Sequence, residues 1–402
     1  MIGSRVHPPP AVRQHAGTVD RVYPIDWLRA LAVLGVFVYH SAHPFDTIDW
    51  HIKNAQQSEG LTVVQGFFAT WGIGFFFMIA GAASCLALRS RTTRAFVRER
   101  VMRLLLPFVA AWVVLSPVQS YFEETHWGRY EGSFVAFVPR FFEGVWNVLR
   151  SDIPGPLLLD KTYHLWFLMF LFEFSMLGLL LFRWLRSSAG RRAIGWLGDH
   201  ADARGCILLF GVPLAVIHVL VEGGPGDAHR WNEFVFYFDF FVAGYVVLSD
   251  ERLLEAVRRD AVPALVVAIV GMATLLGSGA VGFAEREGNP RSPLGMWILF
   301  VLTIQGWAWM TATFGWGLRV AAFARPLPRR TAVALMPFFV LHQAIIVVVA
   351  FFVVEWAAGI PVKLVAVLAG SFVLTAALSG LAVSIPGVST LLGVKRPRPR
   401  VA

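Results

Sequence analysis

Arg29 and His40 stand eleven residues apart in the apolar run RALAVLGVFVYHSAH. At 3.6 residues per turn that interval is almost three turns, so both side chains fall on one helix face, about 16 Å apart along the axis. Asp26 and His43 lie on the same side. Ionisable groups in such a run are costly near a bilayer centre and must face a bundle interior or a water-filled cavity. An imidazole, whose ordinary pKa lies near 6.5, is suited to take a proton from a hydroxyl. His40 sits toward the outer side, where an acceptor could arrive, and is therefore a candidate general base, while Arg29 sits toward the inner side. The alternative is structural: an Asp26–Arg29 ion pair at the membrane surface and a hydrogen bond from His40 to a neighbouring helix.

A second constellation follows. Six arginines lie between positions 89 and 103, in RSRTTRAFVRERVMR. Such a cluster commonly marks the cytoplasmic side of a span. Arg100 and Arg103, spaced i and i+3 on one helical face, add a chemical meaning, because guanidinium groups grip phosphates bidentately. A third stretch is YHLWFLMFLFEF. His164 and Trp166 are expected at the outer interface, whereas Glu173 lies nine residues on and so about 13 Å deeper. A carboxyl at that depth needs a partner or a raised pKa. His218, Asp239, Gln305 and the pair His342-Gln343 also fall inside apolar runs. Each alone reads as an interhelical polar contact. Together they imply a polar interior, which a transporter would share.

These groups need helices in lipid to hold them. Of the 402 residues, 56% are hydrophobic and only 15% charged, which excludes a soluble globular protein. Ten apolar runs approach the ~20 residues needed to cross the hydrocarbon, at about 25–43, 62–87, 104–121, 164–184, 205–222, 233–249, 261–283, 294–316, 334–354 and 362–385. The expected fold is an all-α polytopic membrane protein. Of the 35 basic residues, 26 fall on the side of the N-terminal tail and 9 on the other; the rule that basic loops stay inside then puts both termini in the cytoplasm. The net charge of +9 is thus topological and does not point to nucleic acid. The first twenty residues are polar and lack the apolar core of a cleavable signal. Cys85 and Cys206 have no metal-ligand spacing around them, and no metal is expected.

The chain divides into a tail at 1–22, a transmembrane unit at 23–386 and a basic tail at 387–402. Within the unit, the one long outer segment, 122–163, is expected to form a lid on the outer leaflet. Its Trp127, Arg129, Tyr130 and Trp146 are of types that stack on and hydrogen-bond sugars; interfacial anchoring is the alternative.

Arg29-x10-His40, FFFMIAG at 75–81, Arg100-x-x-Arg103, HLWFL at 164–168 and VLHQ at 340–343, taken in this order over about residues 20–386, resemble the acyltransferase-3 family of membrane O-acyltransferases. HLWFL makes the chain most similar to the glucan-modifying branch, associated with succinylation of periplasmic glucans. Two features depart from the family's patterns. Ala80 stands where many members have Ser, and Glu173 is one residue out of register with the acid of the O-antigen acetylating branch.

The resemblance implies a multi-pass protein of the bacterial inner membrane that moves an acyl group, acetyl or succinyl, from cytoplasmic acyl-CoA to a hydroxyl of a glycan or glycolipid outside. It implies His40, Arg29 and Glu173 as catalytic groups and Arg100, Arg103 and Arg29 as holders of the CoA phosphates. Asp26, His43, His164, Trp166 and His342 are then expected to bind substrate. A secondary transporter or flippase using the same polar stripe is the alternative.

Overall fold

A computed structural model of the chain describes residues 23–150, 162–222, 231–321 and 325–394. Among them every regular element is a helix and there is no strand. That is the economical solution in lipid, since a helix satisfies its backbone polar groups within one segment. Nine stretches of the described residues are long and apolar enough to cross a membrane.

The first helix, α1 (Tyr23–Ala42), carries the Arg29–His40 stripe. A 3₁₀ turn at His43–Phe45 ends it, where Pro44 withdraws a backbone donor. The chain then returns over the end of α1, with the Asn54 and Ser58 amides donating to the Pro44 and Phe45 carbonyls at 2.8 Å each. The short α2 (Glu59–Ala69) and α3 (Gly72–Ser90) together make the second span. Next, α4 (Thr93–Arg100) joins α5 (Leu106–His126) through a π turn at Val101–Leu105. That turn, not a continuous α-helix, sets the relation of Arg100 to Arg103. Such wide turns often occur at functional sites.

The outer segment expected to lie on the leaflet instead starts as a helix packed along α5. In α6 (Phe134–Arg150), Phe137, Phe141 and Val145 are buried against Trp112, Tyr121 and Tyr130. Phe142 stands edge-on to Trp112 at 6.4 Å, nine positions deeper in α5 than Tyr121. This helix therefore flanks the bundle. The remainder of that segment, 151–161, lies outside the described residues, as do the tail at 1–22, residues 395–402 of the tail expected at 387–402 and the side chain of Trp146.

Next come α7 (Trp166–Leu185) and α8 (Ser188–His200). The expected span at 205–222 is not one full crossing. It is the two pieces α9 (Cys206–Leu209) and α10 (Gly211–Val221), a shorter apolar stretch. Pro213 supplies the reason, since it has no N–H for the Leu209 carbonyl one turn back. The bundle continues through α11 (Trp231–Ser249), α12 (Glu251–Arg259), α13 (Ala261–Gly288), α14 (Pro293–Ala321), α15 (Arg329–Val353), α16 (Ile360–Ser384) and α17 (Pro386–Leu391).

Two glycines set the closest crossing of helices. A Cβ on Gly81 would overlap the Phe241 carbonyl, and one on Gly244 would overlap the Met78 carbonyl. Small residues at crossings let backbones touch in lipid, where packing takes over from the hydrophobic effect. The phase of α3 is fixed by this pair, and α3 is the helix that walls the site.

Candidate active site

The end of the bundle that holds the arginines contains a cavity of about 300 Å³ between α1, α3, α4, the π turn, α7 and α15. Asp26 and Arg29 of α1, Arg91 and Glu99, Arg100 and Arg103 line its polar end. The π turn brings both Arg100 and Arg103 into the lining despite the break in α-helical phase. Arg100 donates to Ser84 Oγ at 2.9 Å and lies over the Phe96 ring at 4.5 Å. Glu99 holds Arg91 and, at 3.4 Å, Arg103. Four arginines against two carboxylates leave the lining positive, and a guanidinium has five donors, so this end is equipped for an anion.

The apolar end of the same cavity is made by Val33, Phe76, Phe167 and Phe339. Phe167 packs on Phe76 and on Phe339 with centroids 5.5 Å apart in each case. Beyond these rings stands a cluster of histidines. The next turn of α15 brings His342, buried at 1% exposure, whose Nδ1–H donates to the Phe339 carbonyl at 2.5 Å. A carbonyl only accepts, so in the neutral ring the His342 Nε2 carries a lone pair. His40 Nδ1 lies 2.9 Å from that Nε2 and must be the donor. His40 Nε2 is thereby left unprotonated, the form a general base requires.

Two carboxylate-held imidazoles flank this pair. His43 donates from Nδ1 to Asp46 Oδ2 at 2.7 Å, and its ring stacks on Trp50 at 5.6 Å and lies 6.2 Å from that of His40. Asp46, fully buried, also takes Lys53 Nζ at 2.9 Å. Burial alone would push the Asp46 carboxyl up, but the hydrogen bonds from His43 and Lys53 outweigh it and hold the group below its ordinary value. His51 accepts from Gln343 Nε2 at 3.0 Å and so donates from Nδ1 to Glu123 at 2.8 Å. Tyr163, with a positive φ of 49°, sets its ring 4.8 Å from that of His51. Strained non-glycine backbone of this kind tends to gather at functional sites.

His164 differs from its expected interfacial position. It is buried at 5% exposure, donates from Nε2 to the Val340 carbonyl at 2.9 Å and stands edge-on to His342 at 5.0 Å. Trp166 points into an aromatic cluster with Phe170 at 5.2 Å and Tyr237 at 5.7 Å. Asp26 sits with the arginines rather than with the histidines. Glu173 is not among the residues lining the cavity, and its buried Oε2 has no hydrogen-bond partner among the described residues. His218, by contrast, pairs with Asp239 at 3.3 Å and Thr303 at 3.1 Å in a separate cluster between α10, α11 and α14.

Sequence reasoning passed over His51, Asp46, Lys53, Glu123 and Ser84. A signal was present for the first three, since HPFDTIDWHIK (43–53) packs five ionisable groups and a Trp into one short connection. Of the aromatic residues expected to meet a sugar, Trp127 is half exposed with its Nε1 donating to the His51 carbonyl at 3.1 Å. Arg129 holds Glu124 at 2.9 Å. Tyr130 is turned against Phe137 at 5.0 Å.

Comparison with known proteins bears on this arrangement. Glucans biosynthesis protein C of Escherichia coli O139:H28 (strain E24377A / ETEC) is 22% identical to the chain over 303 residues, which cover 70% of this chain and 74% of that protein. The same protein of Escherichia coli (strain K12) gives the same identity and coverage. No solved structure matches. The model of the acyltransferase-3 family, described as an acyltransferase domain, matches residues 22–381, which include every residue of the cavity and of the histidine cluster, and the chain belongs to that family of membrane acyltransferases.

Proposed function

We propose that the chain moves an acyl group from acyl-CoA, bound at the basic face of the bundle, to a hydroxyl of a glycan or glycolipid at the opposite face. The observation that carries this reading is the Phe339–His342–His40 chain, which leaves a basic nitrogen directed away from its partners at the far end of the helix that bears Arg29. The excess of basic residues makes the arginine face cytoplasmic. Arg29, Arg100 and Arg103 hold the phosphates of the donor there. The pantetheine arm runs along α1 past the phenyl rings, a path that the ~16 Å rise from Arg29 to His40 makes short enough.

At His40, Nε2 takes the proton of the acceptor hydroxyl as its oxygen forms a bond to the thioester carbonyl carbon. The C–S bond then breaks, and the same imidazolium returns the proton to the departing thiolate sulfur. Trp50, Trp127 and the His51–Glu123 pair hold the sugar. The names of the relatives support a glucan as the acceptor, and acetyl and succinyl are the acyl groups to test.

Thioester consumption by the purified, detergent-solubilised protein decides the matter, with acetyl-CoA and succinyl-CoA offered separately. Turnover of one donor with loss in His40→Ala supports the reading. Turnover undiminished in that variant, or no reaction with either donor in the presence of a glucan, overturns it.

A further inference from the structure

The basic face holds a second cavity, of about 330 Å³, separated from the first by α3. Leu86, Ala87, Ser90 and Arg91 of that helix face the donor cavity, while Cys85, Leu88 and Arg89 face this one. The opposite walls come from the end of α7, from α8 and from the end of α11, and they add Arg186, Arg191, Tyr245 and Ser249. Three guanidinium groups thus converge, and no carboxylate belongs to the lining. Concentrating like charge at a membrane edge without a counter-ion is unfavourable, so the arrangement calls for an anion from outside the chain.

Local structure holds the arginines in place. Arg89 donates to the Leu248 carbonyl at 2.5 Å, and Arg191 reaches back to the Arg186 carbonyl. Each retains further N–H donors, since a guanidinium carries five. A Cβ on Gly190 would overlap the backbone of Trp184 and Leu185; glycine there lets α8 fold tightly against the end of α7 and swings Arg191 into the cavity. Trp184 and Trp196, 50% and 58% exposed, lie on the two helices that frame this corner. Exposed tryptophans of that kind mark the headgroup level of a bilayer.

We propose that this cavity binds the phosphate group of an anionic phospholipid of the cytoplasmic leaflet, with Arg89, Arg186 and Arg191 as its ligands. Basic pockets between membrane helices on the cytoplasmic side are suited to such headgroups. Tyr245 and Ser249 supply hydroxyls for the remaining headgroup oxygens. The wall of Leu88, Leu185 and Ile194 meets the glycerol backbone. The site lies outside the donor cavity, so it does not depend on the identity of the acyl group.

The test compares the full chain with Arg186→Gln and with Arg186→Gln/Arg191→Gln, using retention of phosphatidylglycerol against phosphatidylcholine by native mass spectrometry and the melting temperature with each lipid. Inorganic phosphate without lipid forms a separate arm. The expected result is preferential retention of phosphatidylglycerol by the wild type and at least a tenfold loss in the variants, with thioester turnover unchanged. Stabilisation by inorganic phosphate that the variants lose, without lipid preference, assigns the site to free phosphate and overturns the lipid. Equal retention of the two lipids, or equal retention by wild type and variants, overturns the site. Should the double variant fail to fold, Arg186→Gln carries the test alone, because the Arg186 guanidinium donates no hydrogen bond to the described residues.

Discussion

His40 Nδ1 lies 2.9 Å from His342 Nε2, with the two rings within 9° of parallel and their centroids 5.1 Å apart. One imidazole thus fixes the proton of another, as a carboxylate does in more familiar pairs, but without bringing a negative charge into the membrane. His342→Ala is expected to lower kcat about 10- to 100-fold while leaving KM for the donor within about twofold, since it frees His40 to adopt the wrong tautomer. His40→Ala removes the base and is expected to cost about 10²–10⁴-fold. Steady-state kinetics on both variants check this, and equal losses in the two would contradict a positioning role for His342.

Arg100 makes both a hydrogen bond to Ser84 and a wall of the donor cavity. Arg100→Ala and Arg103→Ala are each expected to raise KM for acyl-CoA by roughly ten- to a hundredfold, the range of a lost charge-assisted hydrogen bond. Arg100→Lys should recover little, because an ammonium lacks the planar fork that can hold the Ser84 hydroxyl and a phosphate at once. Titration of the donor against each variant, at low and at high salt, measures the effect.

The Asp46 network makes stability depend on acid. Its carboxyl is held below its ordinary value of 3.8, so the folded state binds the proton more weakly than the unfolded one. The stabilisation is fully present above that ordinary value and is lost as pH falls through the lower folded value. Asp46→Asn should therefore melt below the wild type at neutral pH, and the gap should close as pH falls from the ordinary value of 3.8 through the lower folded value. Melting temperatures in detergent across that range provide the check; a gap that widens in acid would reverse the sign.

Gly81→Ala is expected to destabilise by about 1–3 kcal/mol or more, as overpacking of a filled interior does, because the new methyl meets the Phe241 carbonyl. Gly128→Ala offers a comparison, with open space around it but a φ of +64°; it should cost less. Thermal unfolding of the two variants orders them.

Much of this was legible beforehand. The eleven-residue interval from Arg29 to His40 places both on one face of α1, as regular helix geometry requires, and the paired arginines do reach a common cavity. The π turn between them was not legible, because a one-residue widening leaves no mark in an apolar pattern. Nor was the burial of His164. HLWFL reads as an interfacial belt unless one knows that α15 presents the Val340 carbonyl beside it. The break at 205–222 hangs on Pro213, whose effect depends on which carbonyl lies one turn back. Asp46, His51 and Glu123 belong to connections and helix ends, where sequence sets composition but tertiary return of the chain sets contact.

The crossing of α3 and α11 through Gly81 and Gly244 has a consequence for how such a protein can be recombined. Each glycine accommodates the other helix's main chain, so neither helix can be exchanged alone. A chimaera that imports α3 from a relative, with any larger residue at the crossing, needs the matching α11 to come with it. Since α3 also divides the two basic cavities, that single transplant would rebuild one wall of each while the arginines of α1, α4, the π turn, α7 and α8 stayed behind.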